Sequence, residues 1–218
     1  MRTTSRPARI AVRALALAAA GVLVAAPSAS AANQGIVNPG FEDGSSAAWG
    51  EVSVDDWYVR GMWGHLITDD AAYPAHSGTW KARLGGYGYR GPIGHRIVQD
   101  VTIPAYRVPV LSFWMKSDYA GVGHRLTVEA VTEDGTRTPL YTRYNAAGSA
   151  GGYEQATVTL PDAFYSGTTR KVSLEFTHWE EGGNTTPFLI DDVSLEYRYK
   201  IYKPIVDLPR FPFKPFSS

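Results

Sequence analysis

Two carboxylates in the chain stand where a charge needs a partner. Glu42 lies in Asn38-Pro39-Gly40-Phe41-Glu42-Asp43-Gly44, and Asp191 in Phe188-Leu189-Ile190-Asp191-Asp192-Val193-Ser194-Leu195. Both sit beside residues patterned as buried strand, where an isolated charge is too costly to keep. A hard cation shared between the two would meet that need and tie the first strand to the last. The metal-free alternative has Glu42 capping a turn and Asp191 accepting bonds from backbone amides.

Aromatic side chains are the second set. Trp and Tyr bind sugars by stacking on their apolar ring faces while polar neighbours bond the hydroxyls. Trp57, Tyr58, Trp63, Tyr87 and Tyr89 occupy Gly-rich, polar segments that favour exposure. Trp114 alternates with Ser112 and Lys116, away from Leu111, Phe113 and Met115, and so lines a sheet face. Trp179 ends a strand next to Glu180 and Glu181. Large aromatics also fill sandwich cores, and Trp49 and Trp80 are expected to be buried. The run Leu84–Gly91 lacks the lysine and following helix of a phosphate loop. It reads as a mobile loop able to shape a binding site.

No catalytic constellation is visible. The histidines at 65, 76, 95, 124 and 178 lack the i, i+4 helical spacing of zinc hydrolases, and no histidine cluster competes for an ion. No serine has the context of a nucleophile elbow. Asp55, Asp56, Asp69, Asp70, Glu129 and Glu175 read as turn and surface acids, although glycosidase chemistry needs only two facing carboxylates.

The elements that must position these groups are strands. Residues 1–31 carry Arg2, Arg6, Arg9 and Arg13, an apolar run and Ala29-Ser30-Ala31, the pattern of a cleavable secretory signal peptide. Without those four arginines, 17 basic residues face 21 acidic ones, a net charge of −4. That balance argues against nucleic-acid binding. There is no cysteine, so the fold depends on its core and on any bound ion. No apolar run is long enough to span a membrane comfortably, which predicts a secreted, extracellular protein.

Beyond the leader, short runs rich in Val, Ile, Thr, Tyr and Trp alternate with Gly, Pro, Asn and Asp. The predicted strands are Gly35–Val37, Gly50–Val54, Trp57–Val59, His65–Thr68, Trp80–Leu84, His95–Ile103, Val110–Ser117, Arg125–Thr132, Thr138–Arg143, Tyr153–Leu160, Lys171–His178 and Phe188–Tyr197. This spacing predicts an all-β antiparallel sandwich over 32–197. Residues 198–218 are basic, aromatic and proline-rich, and suit a flexible tail or an anchor to cell wall or protein.

Asn38–Gly44 resembles the opening of the cellulase-C-type carbohydrate-binding modules, jelly rolls of the galactose-binding-like superfamily that are also appended to secreted bacterial peptidases. The likeness continues through Ala75–Ala82, Val98–Ala105, Leu111–Lys116 and Phe188–Leu195. It implies a structural calcium ion held by the Gly40 carbonyl, Glu42, the Trp80 carbonyl and Asp191. It also implies non-catalytic binding of a polysaccharide or glycan. Two other readings stand beside it: a cell-surface or matrix protein with a protein partner, and a small carbohydrate-active enzyme.

Overall fold

The computed structural model describes residues 35–45, 48–53, 65–88, 92–117, 124–144, 151–181 and 187–199. The chain divides into two compact units, Met1–Ser30 and Ala31–Ser218, and all described residues belong to the second. The leader, the predicted strand Trp57–Val59, the aromatics Trp57, Tyr58, Trp63 and Tyr89, and the tail from Lys200 lie outside the described residues.

Ten strands follow in order: β1 (Gly50–Ser53), β2 (Ile67–Thr68), β3 (Lys81–Leu84), β4 (Ile93–Ile103), β5 (Arg107–Lys116), β6 (Arg125–Thr132), β7 (Arg137–Tyr144), β8 (Glu154–Thr159), β9 (Arg170–Glu180) and β10 (Phe188–Tyr199). They form two antiparallel five-stranded sheets, ordered β1-β4-β9-β6-β7 and β2-β3-β10-β5-β8. From β3 to β6 and from β7 to β10 each connection crosses between sheets, the winding of a jelly roll.

Period-two patterning explains the layers. In β5, Leu111, Phe113 and Met115 are buried while Ser112, Trp114 and Lys116 are half-buried on the other face. In β9, Val172, Leu174 and Phe176 point inward. Phe113 meets Phe176 edge to face at 5.1 Å and 87°, which locks sheet to sheet. Each fully buried side chain of this size contributes about 1.5–3 kcal/mol.

One predicted strand is absent. Gly35–Val37 is irregular because a side chain takes its backbone bonds. The Val37 N–H donates to Gln99 Oε1 at 2.8 Å, and Gln99 Nε2 donates to the carbonyls of Val37 (2.9 Å) and Ala48 (2.8 Å). The link between the two ends of the domain is therefore made by a loop, whose Pro39 carbonyl accepts the Val193 N–H at 2.9 Å.

Strand β10 carries a bulge beside that link. Asp191 pairs with Trp114 and Ser194 with Ser112, so one extra residue is inserted. Asp192 absorbs it with φ of 46°.

Candidate functional site

The bulge turns Asp191 into the interior, where it is fully buried. Its Oδ2 accepts the N–H groups of His76 (2.8 Å) and Ser77 (3.1 Å), and its Oδ1 accepts that of Asp192 (2.8 Å). Glu42 reaches the same turn, its Oε1 accepting from the Thr79 and Trp80 amides at 2.9 and 3.0 Å. Asp192 completes the node: Ser77 Oγ donates to its Oδ1 at 2.8 Å, and His76 Nδ1 lies 2.6 Å from its Oδ2. Gly78 has φ of 58°, and a Cβ there would overlap the Glu42 carboxylate, so the turn requires glycine. A Cβ on Gly40 would lie 3.3 Å from Asp192 Oδ1 and 4.0 Å from Asp191 Oδ1, which brings that backbone against both acids.

The amide bonds expected without metal are thus present, yet they do not neutralise Asp191. Burial pushes its carboxyl up to about 6, with the amides of Ser77 and Asp192 pulling the other way. Among the described residues no lysine or arginine forms an ion pair with it. Lys81, whose own pKa is lowered by burial, gives its Nζ to the Asp70 carbonyl at 2.6 Å. A buried carboxylate without a bonded cation, beside a second carboxylate and a glycine backbone, fits a hard cation that takes oxygen ligands. Trp80 is only half-buried, against expectation, because its indole lies over the backbone of Gly44 near the surface.

A groove of about 310 Å³ crosses the outer face of the sheet built on β4, β9 and β6. Its apolar members are Trp179, 38% exposed, and Val52, 39% exposed, enough to offer a ring face to a ligand. Its polar members form a network. Arg137 donates through Nη1 to Glu129 Oε2 (2.6 Å) and through Nη2 to Glu175 Oε2 (2.8 Å), and Arg96 Nη1 donates to the same Glu175 oxygen at 2.9 Å. Glu129 and Glu175 are direct cross-strand neighbours, a repulsive pairing that Arg137 bridges. The arrangement presents an indole flanked by fixed donors and acceptors, which is what a pyranose ring requires.

The described aromatics of the sequence reading fall in different places. Trp114 is on the outer face of the other sheet, as its alternation implies, with His76 stacked on it at 3.9 Å and 15°. Tyr153 meets His76 edge-on at 5.3 Å. Tyr87 is a correction. It is buried, not exposed, because Arg83 lies between it and Tyr73, at 4.4 and 4.2 Å from their ring centres. Burial pushes its hydroxyl up to about 12. Trp179 stands among the aromatic candidates of the sequence, whereas Arg96, Arg137, Glu129 and Glu175 do not stand among its binding residues. Outward alternation in their strands was the available signal, but their convergence comes from sheet order.

No protein-family model matches the chain, and no curated protein matches it. Solved structures do. TmCBM61 in complex with beta-1,4-galactotriose matches with a TM-score of 0.53 at 15% identity, over 75% of this chain and 97% of that one. A family 16 carbohydrate-binding module matches at TM-score 0.42 and 21% identity, over 73% and 97%. The K1 cleaved adhesin domain of Lys-gingipain from Porphyromonas gingivalis W83 matches at 0.49 and 19%, over 72% and 95%. The chain has the β-sandwich jelly-roll fold found among carbohydrate-binding modules. Among the described residues no helix is long and apolar enough to cross a membrane.

Proposed function

We propose that this protein is a secreted, non-catalytic carbohydrate-binding module that takes a polysaccharide or glycan in the groove around Trp179. The observation that carries the reading is the pairing of an exposed indole with the Arg96–Glu175–Arg137–Glu129 network on one sheet face. A sugar's C–H face stacks on Trp179, and guanidinium and carboxylate groups bond its hydroxyls. The fold shared with TmCBM61, which is in complex with beta-1,4-galactotriose, adds support. Calcium belongs to the proposal as a staple: Glu42 and Asp191 with the Gly40 and Trp80 carbonyls would hold it, and it would fix the loops without touching the sugar.

Pull-down on insoluble polysaccharides together with a soluble glycan array tests the groove. The wild-type chain is expected to be retained on at least one glycan, and Trp179→Ala to lose retention about 10-fold or more, the effect of removing a stacking anchor. Since Trp179 is partly exposed, the variant keeps its core. Retention on no glycan would transfer the groove to a protein partner at the cell surface or matrix. Release of soluble sugar from a retained polysaccharide would make the protein a small carbohydrate-active enzyme.

A further inference from the structure

The inner face of β9 changes character along its length. After Val172, Leu174 and Phe176, the same alternation carries His178 and Glu180 inside, both at 0% exposure. His95, the cross-strand partner of His178 on β4, is also at 0%, and His124, just before β6, is at 4%. The histidines that look scattered in sequence therefore form a cluster. The ring centres of His124 and His178 are 5.9 Å apart, and those of His95 and His178 are 6.4 Å apart. His124 Nδ1 stands 3.9 Å from Glu180 Oε2. One ligand atom from each of His124, His178 and Glu180 lies within 4.8 Å of the other two.

The glycine run after β3 covers this cluster. The Gly86 N–H donates to Glu180 Oε2 at 3.3 Å. Gly85 has φ of 81°, and a Cβ there would overlap His178 and come within 2.8 Å of Glu180 Oε2. Gly85 and Gly86 are thus packed against the cluster, which explains glycine at these two positions better than mobility does.

Hydrogen bonding does not account for His178, His95 or the second oxygen of Glu180. Among the described residues, neither ring nitrogen of His178, neither of His95, and not Glu180 Oε1 has a partner. Each unsatisfied buried atom costs about 1–3 kcal/mol, a cost that a bound ion would relieve.

We propose that His124, His178 and Glu180 bind one divalent transition ion of the zinc class, enclosed by β9, the start of β6 and the Gly85–Gly86 turn. Two imidazoles and a carboxylate, with no thiolate, form a donor set that zinc accepts. With bonds of about 2.0–2.2 Å, tetrahedral donors stand about 3.3 Å apart, so each side chain closes in by under about 1 Å. His95 stands next to the trio and not within it. The site differs in kind from the Glu42–Asp191 node, which offers only oxygen to a hard cation. With water in the fourth tetrahedral position, the buried ion would link the start of β6 to the end of β9.

The full chain, stripped of metal by EDTA and desalted, is titrated with Zn2+ alone and followed by elemental analysis and thermal unfolding. One zinc per chain and a higher Tm are expected. Glu180→Gln should weaken uptake by more than about 100-fold, since even outer-shell partners of a metal are worth 10–100-fold. His124→Asn, at the least buried ligand, is the second variant. Co2+ reads the unmutated site directly, and tetrahedral visible bands are expected. The proposal is overturned if the folded wild type takes up no zinc, leaving a hydrated cluster. Uptake unchanged in both folded variants, or a cobalt spectrum like that of the free aquo ion, would overturn it equally.

Discussion

Two buried histidines give the stability of the protein a definite pH dependence. Burial pulls His178 down to about 3, with His95 and His124 adding to the effect, and pulls His95 down to about 4, with Arg83 assisting. In the unfolded chain both take up a proton near 6.5. As pH falls from about 6.5 toward 4, the unfolded state binds protons that the native state refuses. Stability then drops by up to about 1.4 kcal/mol per pH unit for each histidine. Asp191 works the other way without metal. Its folded value of about 6 exceeds the unfolded 3.8, so its contribution is complete below 3.8 and lost as pH rises through 6. Glu180, also raised by burial, acts in the same direction. His95→Phe separates these effects, because the His95 nitrogens have no partner for the phenyl ring to orphan. In chelated protein, the urea midpoint of the wild type is expected to fall more steeply than that of His95→Phe between pH 6.5 and 4. Parallel curves would mean that His95 gains its proton in the folded state.

Among the elements, the turn after β3 is the clearest case of a close approach that only glycine permits. Gly85→Ala incurs a left-handed backbone and an overlap with His178, while Gly135→Ala, at φ of 83° in the β6–β7 turn, meets nothing within 4 Å. Both lose roughly 1–2 kcal/mol to backbone strain. Gly85→Ala should lose about 1–3 kcal/mol more from overpacking, and urea unfolding of the two variants measures the difference. Equal losses would show that the turn does not seat on the histidines. The same turn marks what local sequence conveys. Alternation and turn residues located Arg125–Thr132 without change, and most other strands to within a few residues. Carried two steps past Phe176, that alternation also places His178 and then Glu180 inside. It does not convey that β9 runs between β4 and β6, which is what brings His95 and His124 to His178. Nor does a run of glycines distinguish a mobile loop from a backbone pressed onto a buried ring. Gly35–Val37 has strand-like residues, but the Gln99 amide takes the bonds that a neighbouring strand would have used.

For the whole molecule, the decisive tie is between its two ends. Pro39 bonds Val193, Glu42 holds the Thr79–Trp80 amides, and Asp191 holds those of His76 and Ser77, so three distant segments meet at one node. Near pH 7 Asp191 is ionised in both folded and unfolded states, and keeping that charge buried without a cation costs a few kcal/mol. Asp191→Asn removes the charge and keeps an amide oxygen for the His76 and Ser77 N–H groups, at the loss of the bond from the Asp192 N–H. In chelated protein the variant is therefore expected to melt at or above the wild type. Calcium added back should reverse the order. Binding only to the native wild type stabilises it by about 2.7 kcal/mol at 100 times Kd, while Asp191→Asn, short of a ligand charge, responds little. Zinc in the same add-back should raise both proteins alike, because its proposed ligands lie elsewhere. A wild type indifferent to calcium, with metal removal confirmed, would leave the node as a hydrogen-bonded clasp. The stability of the jelly roll would then rest on its apolar core.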